Sequence, residues 1–214
     1  MDSMSRFDSG ELKGDAPEEA KSDVNHPRLS PSIARNNNNV EVKSVQNLNP
    51  FYLNILSDVV SESIVNAVWN QLLREVFQYP GFVLAPEYYT PDDNKVDLVV
   101  CANTGHQLVS VFAYEGKKGP ISDTEFLKAL AQAARYLKFM HRMENGRYYG
   151  MTCAGRKVAI IEYQQGGGRN QIKQVIGPNL LLDVTDDIRA WDIERQAAKI
   201  DIILGAIFQE VLRS

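Results

Sequence analysis

Asp97 interrupts an apolar run, Lys95-Val96-Asp97-Leu98-Val99-Val100, and eighteen positions later Glu115 stands in Tyr114-Glu115-Gly116-Lys117. A carboxylate set among apolar residues is costly to bury unless it is paired or bound to a cation. Glu115 and Lys117 are two apart, so on a strand both point to one face. Two acids and a lysine on one sheet face suit metal-assisted cleavage of a phosphodiester. Magnesium takes one or two protein carboxylates at about 2.0–2.1 Å and completes its shell with water and phosphate oxygens. Asp97 and Glu115 meet that specification, and the carbonyl of Gly116 can add a third protein oxygen. The ion, Mg2+ or Mn2+, lowers the pKa of a bound water and offsets charge on the phosphate. Lys117 can position that water, help deprotonate it, or stabilise developing negative charge.

Positioning these groups falls to two strands, 95–102 and 107–117, joined through Asn103-Thr104-Gly105 as an antiparallel hairpin. Asp97 and Glu115 oppose each other if the hairpin centre falls near His106; a turn centred on Thr104-Gly105 displaces them. Upstream, Val60, Ile64, Val65, Val68, Trp69, Leu72, Val76 and Phe77 recur at helical spacing. They predict a helix over 57–79, capped by Ser57 and ended by Pro80-Gly81. An extended piece over 82–89 and a turn over 90–94 follow. After Gly119-Pro120, Ser122 or Asp123 caps a helix running to about Arg142, apolar nearly all round and so expected to be buried on more than one side. Strands are expected over 148–154, 157–164 and 171–176, the last after Gly166-Gly167-Gly168. A final helix over 187–212 is expected to bury Ile188, Trp191, Ile200, Ile203, Leu204, Ile207 and Leu212. This order gives an α/β (α+β) fold, a mixed sheet flanked by helices.

A chain of 214 residues, 44% hydrophobic and 23% charged, holds one ordinary domain with a sizeable core. Residues 1–47, rich in Ser, Asn, Asp, Glu and Pro with asparagines at Asn36 to Asn39, are expected to be a disordered tail before a single domain over 48–214. No apolar run approaches the roughly 20 residues that span a bilayer, and the start lacks the basic-then-apolar pattern of a secretory signal. An intracellular protein of cytoplasm or nucleus, away from membranes, is the expectation. The net charge of −4 offers nucleic acid no overall attraction, so a local basic patch must supply it. Cys101 and Cys153 have no partner at zinc spacing and are expected to be buried free thiols. His26, His106 and His141 are scattered, and the glycine run precedes no Lys-Ser/Thr, which excludes a phosphate loop.

Asp97 with Glu115-Gly116-Lys117, on a hairpin between two helices, resembles the PD-(D/E)XK superfamily, the restriction-endonuclease-like fold. More loosely, the chain resembles compact nuclease-like domains of that superfamily in fungal proteins. The family core of helix, three strands, helix and strand corresponds to 57–163. In the exonuclease-like branch, the helix after the motif carries a glutamine and a tyrosine four apart, a pattern Gln132 and Tyr136 match, which makes both candidate site residues. The family also often places a glutamate on the first helix facing the metal; Glu62 is the candidate and Glu75 the alternative. The proline that names the motif is absent, with Val96 preceding Asp97. The resemblance implies a nuclease that uses Mg2+ or Mn2+ on nucleic acid, DNA favoured.

A plainer reading of the trio is a hairpin's polar face with a salt bridge worth about 0–1 kcal/mol. Gln132 and Tyr136 are equally readable as satisfied polar groups on a buried helix. Lys118, Lys128, Arg135, Lys138, Arg142 and Arg147 can neutralise phosphates or form a solvated face. An alternative function is a non-catalytic module that keeps the nuclease fold and binds protein or nucleic acid. A homodimer through the last helix is a further option.

Overall fold

The computed structural model describes residues 44–58, 61–78, 80–90, 93–140, 147–164, 171–178, 180–183 and 190–213. Residues 1–43 of the tail expected over 1–47, His141, Arg142, the glycine run and Ile188 lie outside the described residues, as does His26 within that tail. All described residues fall in one compact unit, Asn36–Ser214. Ser44 to Asn47, which the sequence reading left in the tail, form a turn that packs on the core, with Val45 buried.

The helix expected over 57–79 is α2 (Glu62–Val76), which is shorter at both ends, and an unexpected helix, α1 (Pro50–Ser57), precedes it. Asn49 caps α1 by accepting the Phe51 N–H, and Pro50 enters the first turn with its φ already suited to a helix. Ser57 therefore ends α1 instead of capping a later helix. Asp58 and Ser61 adopt extended backbone between the two helices, as short polar side chains that compete for backbone hydrogen bonds favour. Within α2, Val65, Val68, Trp69, Leu72, Leu73 and Val76 are buried, the i, i+3, i+4 stripe of a helix lying on a sheet.

Strands β1 (Phe82–Tyr89), β2 (Lys95–Asn103) and β3 (Leu108–Lys117) form an antiparallel meander. Helix α3 (Asp123–Leu137) then crosses to β4 (Arg147–Ala154), which lies parallel to β3. Strands β5 (Lys157–Gln164), β6 (Ile172–Gly177) and β7 (Leu180–Asp183) extend the sheet antiparallel, and the short β8 (Trp191–Asp192) pairs with the start of β5. The result is a mixed sheet with helices on both faces, closed by the C-terminal helix α4 (Ile193–Arg213). Helices α2 and α4 cover one face over Phe112, Tyr114 and Ile160; α3 covers the other over Val99, Ala113 and Ile161.

Three expectations need correction. Helix α3 ends at Leu137 and buries one face only, with Leu127 and Phe139 exposed, because its apolar residues are grouped at Phe126, Ala129, Leu130, Ala133 and Leu137. Helix α4 begins at Ile193, not 187, because Trp191 is buried as a strand residue beside Val158, while Asp192 caps the helix by accepting the Glu194 and Arg195 N–H groups. Leu212, expected inside, is exposed. Cys101 and Cys153 are buried free thiols, and no helix among the described residues is long and apolar enough to cross a membrane.

Candidate active site

Register decides whether Asp97 and Glu115 meet. From the hairpin turn, Asn103 pairs with Leu108, Ala102 with Val109 and Cys101 with Ser110. A bulge then skips Val111, and the ladder resumes with Val100 opposite Phe112, Val99 opposite Ala113 and Leu98 opposite Tyr114. The paired ladder ends there, and its register carried one residue on sets Asp97 level with Glu115. Without the extra residue Asp97 would face Tyr114, and Glu115 would project from the opposite side of the sheet. The bulge therefore assembles the pair that the sequence left conditional.

Asp97 is half-buried, and its Oδ2 accepts the Gly116 N–H at 2.8 Å, taking over the hydrogen bond as the β2–β3 ladder ends. Glu115 is 2% exposed. Lys117 Nζ donates to Glu115 Oε1 at 2.5 Å and stands 3.6 Å from Glu62 Oε2. The other Glu115 oxygen, Oε2, is buried with no hydrogen-bond partner. Burial drives the Glu115 carboxyl up to about 7; the Lys117 hydrogen bond opposes this, and the nearby Asp97 charge reinforces it. Burial alone would lower the Lys117 ammonium, but its hydrogen bond to Glu115 and the charges of Glu115, Glu62 and Asp97 hold it above its usual value.

Glu62 opens the first turn of α2 and meets Lys117, whereas Glu75 lies exposed at the far end of that helix, about 20 Å away at 1.5 Å per residue. Among the described residues no three or more His, Cys, Asp or Glu side chains gather as a metal-binding group; Glu62 reaches the site through Lys117. Gln132 donates to the Tyr136 hydroxyl, which in turn donates to the Lys95 carbonyl at 2.8 Å, two residues before Asp97. This chain of bonds moors α3 to β2. Burial raises the Tyr136 hydroxyl pKa, and it lies near enough to Glu115 and Lys117 to feel both charges. Lys118, Lys128, Arg135 and Lys138 are exposed, while Arg147 belongs to a separate cluster with Glu162 and Glu210.

Two polar groups were not anticipated. Thr152 of β4 is level with Glu115 in the parallel pair, so their side chains share a face, and its buried Oγ1 also lacks a partner. Asn66, one helical turn beyond Glu62, presses on Gly116 with an unpartnered Oδ1. Both follow from pairings that periodicity does not reveal. Clefts of about 570 Å³, between α1 and α2, and 510 Å³, beside α4, exclude Asp97, Glu115 and Lys117 from their linings.

The donor set fits a small, hard divalent cation. It is all oxygen, two carboxylates share one face, and the orphaned Glu115 Oε2 is the kind of buried group that an ion or water satisfies. Comparison of the chain with protein-family models, with curated proteins and with solved structures gives no match.

Proposed function

We propose that this chain is a divalent-metal-dependent nuclease of the PD-(D/E)XK kind, hydrolysing phosphodiester bonds of nucleic acid, DNA favoured. One observation carries the reading. The β-bulge brings Asp97 level with Glu115, where Lys117 engages one Glu115 oxygen and the other is buried without a partner. The order α2, β1, β2, β3, α3, β4 supports it as the helix, three strands, helix and strand of that family.

Asp97 and Glu115 would hold the ion, with the Gly116 carbonyl as a further oxygen. When bound, Mg2+ or Mn2+ supplies an acidified water and charge compensation at the phosphate. The protein's own share is positional. The Gly116 N–H fixes one Asp97 oxygen and leaves the other for coordination. Lys117, tethered by Glu115 and Glu62, presents an ammonium that can orient the attacking water and stabilise charge on the phosphate oxygens. Tyr136, held by Gln132 and Lys95, keeps α3 closed over the Glu115 side.

The test is cleavage of plasmid and single-stranded substrates with magnesium or manganese, alongside Lys117→Ala and Glu115→Ala. Cleavage that needs the metal and disappears in both variants supports the reading. Binding of a partner without cleavage under either metal refutes it in favour of a non-catalytic module.

A further inference from the structure

We propose that Asn66 is a positioning residue of this site, seated on Gly116 so that the first turn of α2, with Glu62, is held against the Glu115–Lys117 pair; the inference rests on the nuclease reading. Gly116 is the hub. Its N–H secures Asp97, and its chain neighbours are Glu115 and Lys117. A Cβ added to Gly116 would lie 1.8 Å from Asn66 Oδ1, 3.0 Å from Asn66 Cγ and 2.6 Å from the Tyr114 hydroxyl. Those two polar tips therefore occupy the space that any side chain at 116 would need. Glycine is required there for a helix to approach, not for an unusual backbone angle.

Asn66 follows Glu62 by four residues, so both project from one side of α2. An amide that touches Gly116 thereby sets where Glu62 meets Lys117. The Asn66 Oδ1, Tyr114 hydroxyl and Trp69 Nε1 are all buried without hydrogen-bond partners, and the Trp69 and Tyr114 rings lie 6.4 Å apart. Unpaired buried polar atoms weaken cohesion. Their presence together behind the hub suits a role in placement more than in packing. The Tyr114 hydroxyl belongs to the same neighbourhood: burial first, then Cys153, then the charges of Asp97, Glu115 and Glu62, push its pKa up.

A double-mutant cycle on the full chain tests this, with Mn2+ affinity read by isothermal titration well below each variant's melting midpoint. Gly116→Ala and Asn66→Ala should each weaken Mn2+ binding by about tenfold to a hundredfold, the range for residues that orient metal ligands. With Tyr114→Phe in every arm to remove the second obstruction, alanine at 116 acts by displacing Asn66, so the double variant should bind no more weakly than the worse single variant. Asn66→Ser, which withdraws the amide from Gly116, replaces Gly116→Ala as the readout if that variant does not fold, and should lose affinity similarly. Wild-type affinity in the Asn66 variants, or losses that multiply in the double variant, overturns the inference while the nuclease reading stands. A wild-type chain that binds no Mn2+ overturns both.

Discussion

Replacing Glu115 with glutamine keeps the side chain's shape and removes its charge, which isolates the cost of holding that charge inside the protein. The carboxyl stands at about 7 in the folded chain against an ordinary 4.5. Between those values the folded chain keeps a proton that the unfolded chain has released, so its stability falls as pH rises through the window and levels off above about 7. At about 1.4 kcal/mol per tenfold change in proton activity, the loss reaches about 3 kcal/mol by pH 8. Burial likewise raises the carboxyls of Glu162 and Asp201, which adds to the slope with the same sign. The comparison with Glu115→Gln removes those shared contributions. Urea unfolding at pH 5 and pH 8, without metal, should show the wild type losing about 2.5 kcal/mol more than Glu115→Gln across the interval, the rest of the loss falling below pH 5. Saturating Mn2+ should recover the wild type at pH 8 and leave the variant unchanged. Equal pH dependence in the two proteins, to within about 1 kcal/mol, would refute the account of Glu115 as a desolvated carboxylate kept for a cation.

Two further predictions follow from other groups. Lys117→Ala should lower metal-dependent cleavage by about a hundredfold to ten-thousandfold, the range for a lost proton-transfer or charge-stabilising group, read as initial rates at saturating magnesium. Asp201→Ala should cost about 3 kcal/mol in urea unfolding, since a buried carboxylate accepting several charge-assisted bonds is lost and its donors are stranded. Asp201 is 1% exposed and accepts the Val45 and Gln46 N–H groups at 2.9 and 2.8 Å and the Ser44 hydroxyl at 3.3 Å. A loss below about 1 kcal/mol would mean that these bonds do not anchor the turn before α1.

The strands expected over 82–89, 95–102 and 157–164 match β1, β2 and β5 to within a residue, because branched and aromatic residues run between clear turn signals. The capped start of α3 was legible too, since Ser122 and Glu125 form the reciprocal bonds that their spacing suggests. The register of β2 against β3 was not. Leu98, Val99, Val100 and Cys101 are buried on both faces, as are Ser110 to Tyr114 opposite, so neither strand alternates and a one-residue slip leaves the apolar pattern unchanged. The bulge at Val111 carries no glycine to mark it. Glu62 could be placed near the site because it shares a helical phase with the buried Trp69. Thr152 could not, since its level with Glu115 depends on a parallel pairing that skips α3. The start of α2 was placed too early because Val60 and Ile64 continue the spacing of the residues that follow. Strand β8 is two residues long, below the length at which period-two patterning exists.

The central claim is that Asp97 and Glu115 share a divalent cation. Titration of the full chain with Mn2+ at pH 7, in two buffers of different ionisation enthalpy, with Asp97→Asn as the control, tests it most directly. The account predicts saturable binding by the wild type, release of protons as Glu115 deprotonates, and an affinity at least about tenfold weaker in the variant. A silent wild-type titration, or equal affinity in the two proteins, would contradict it.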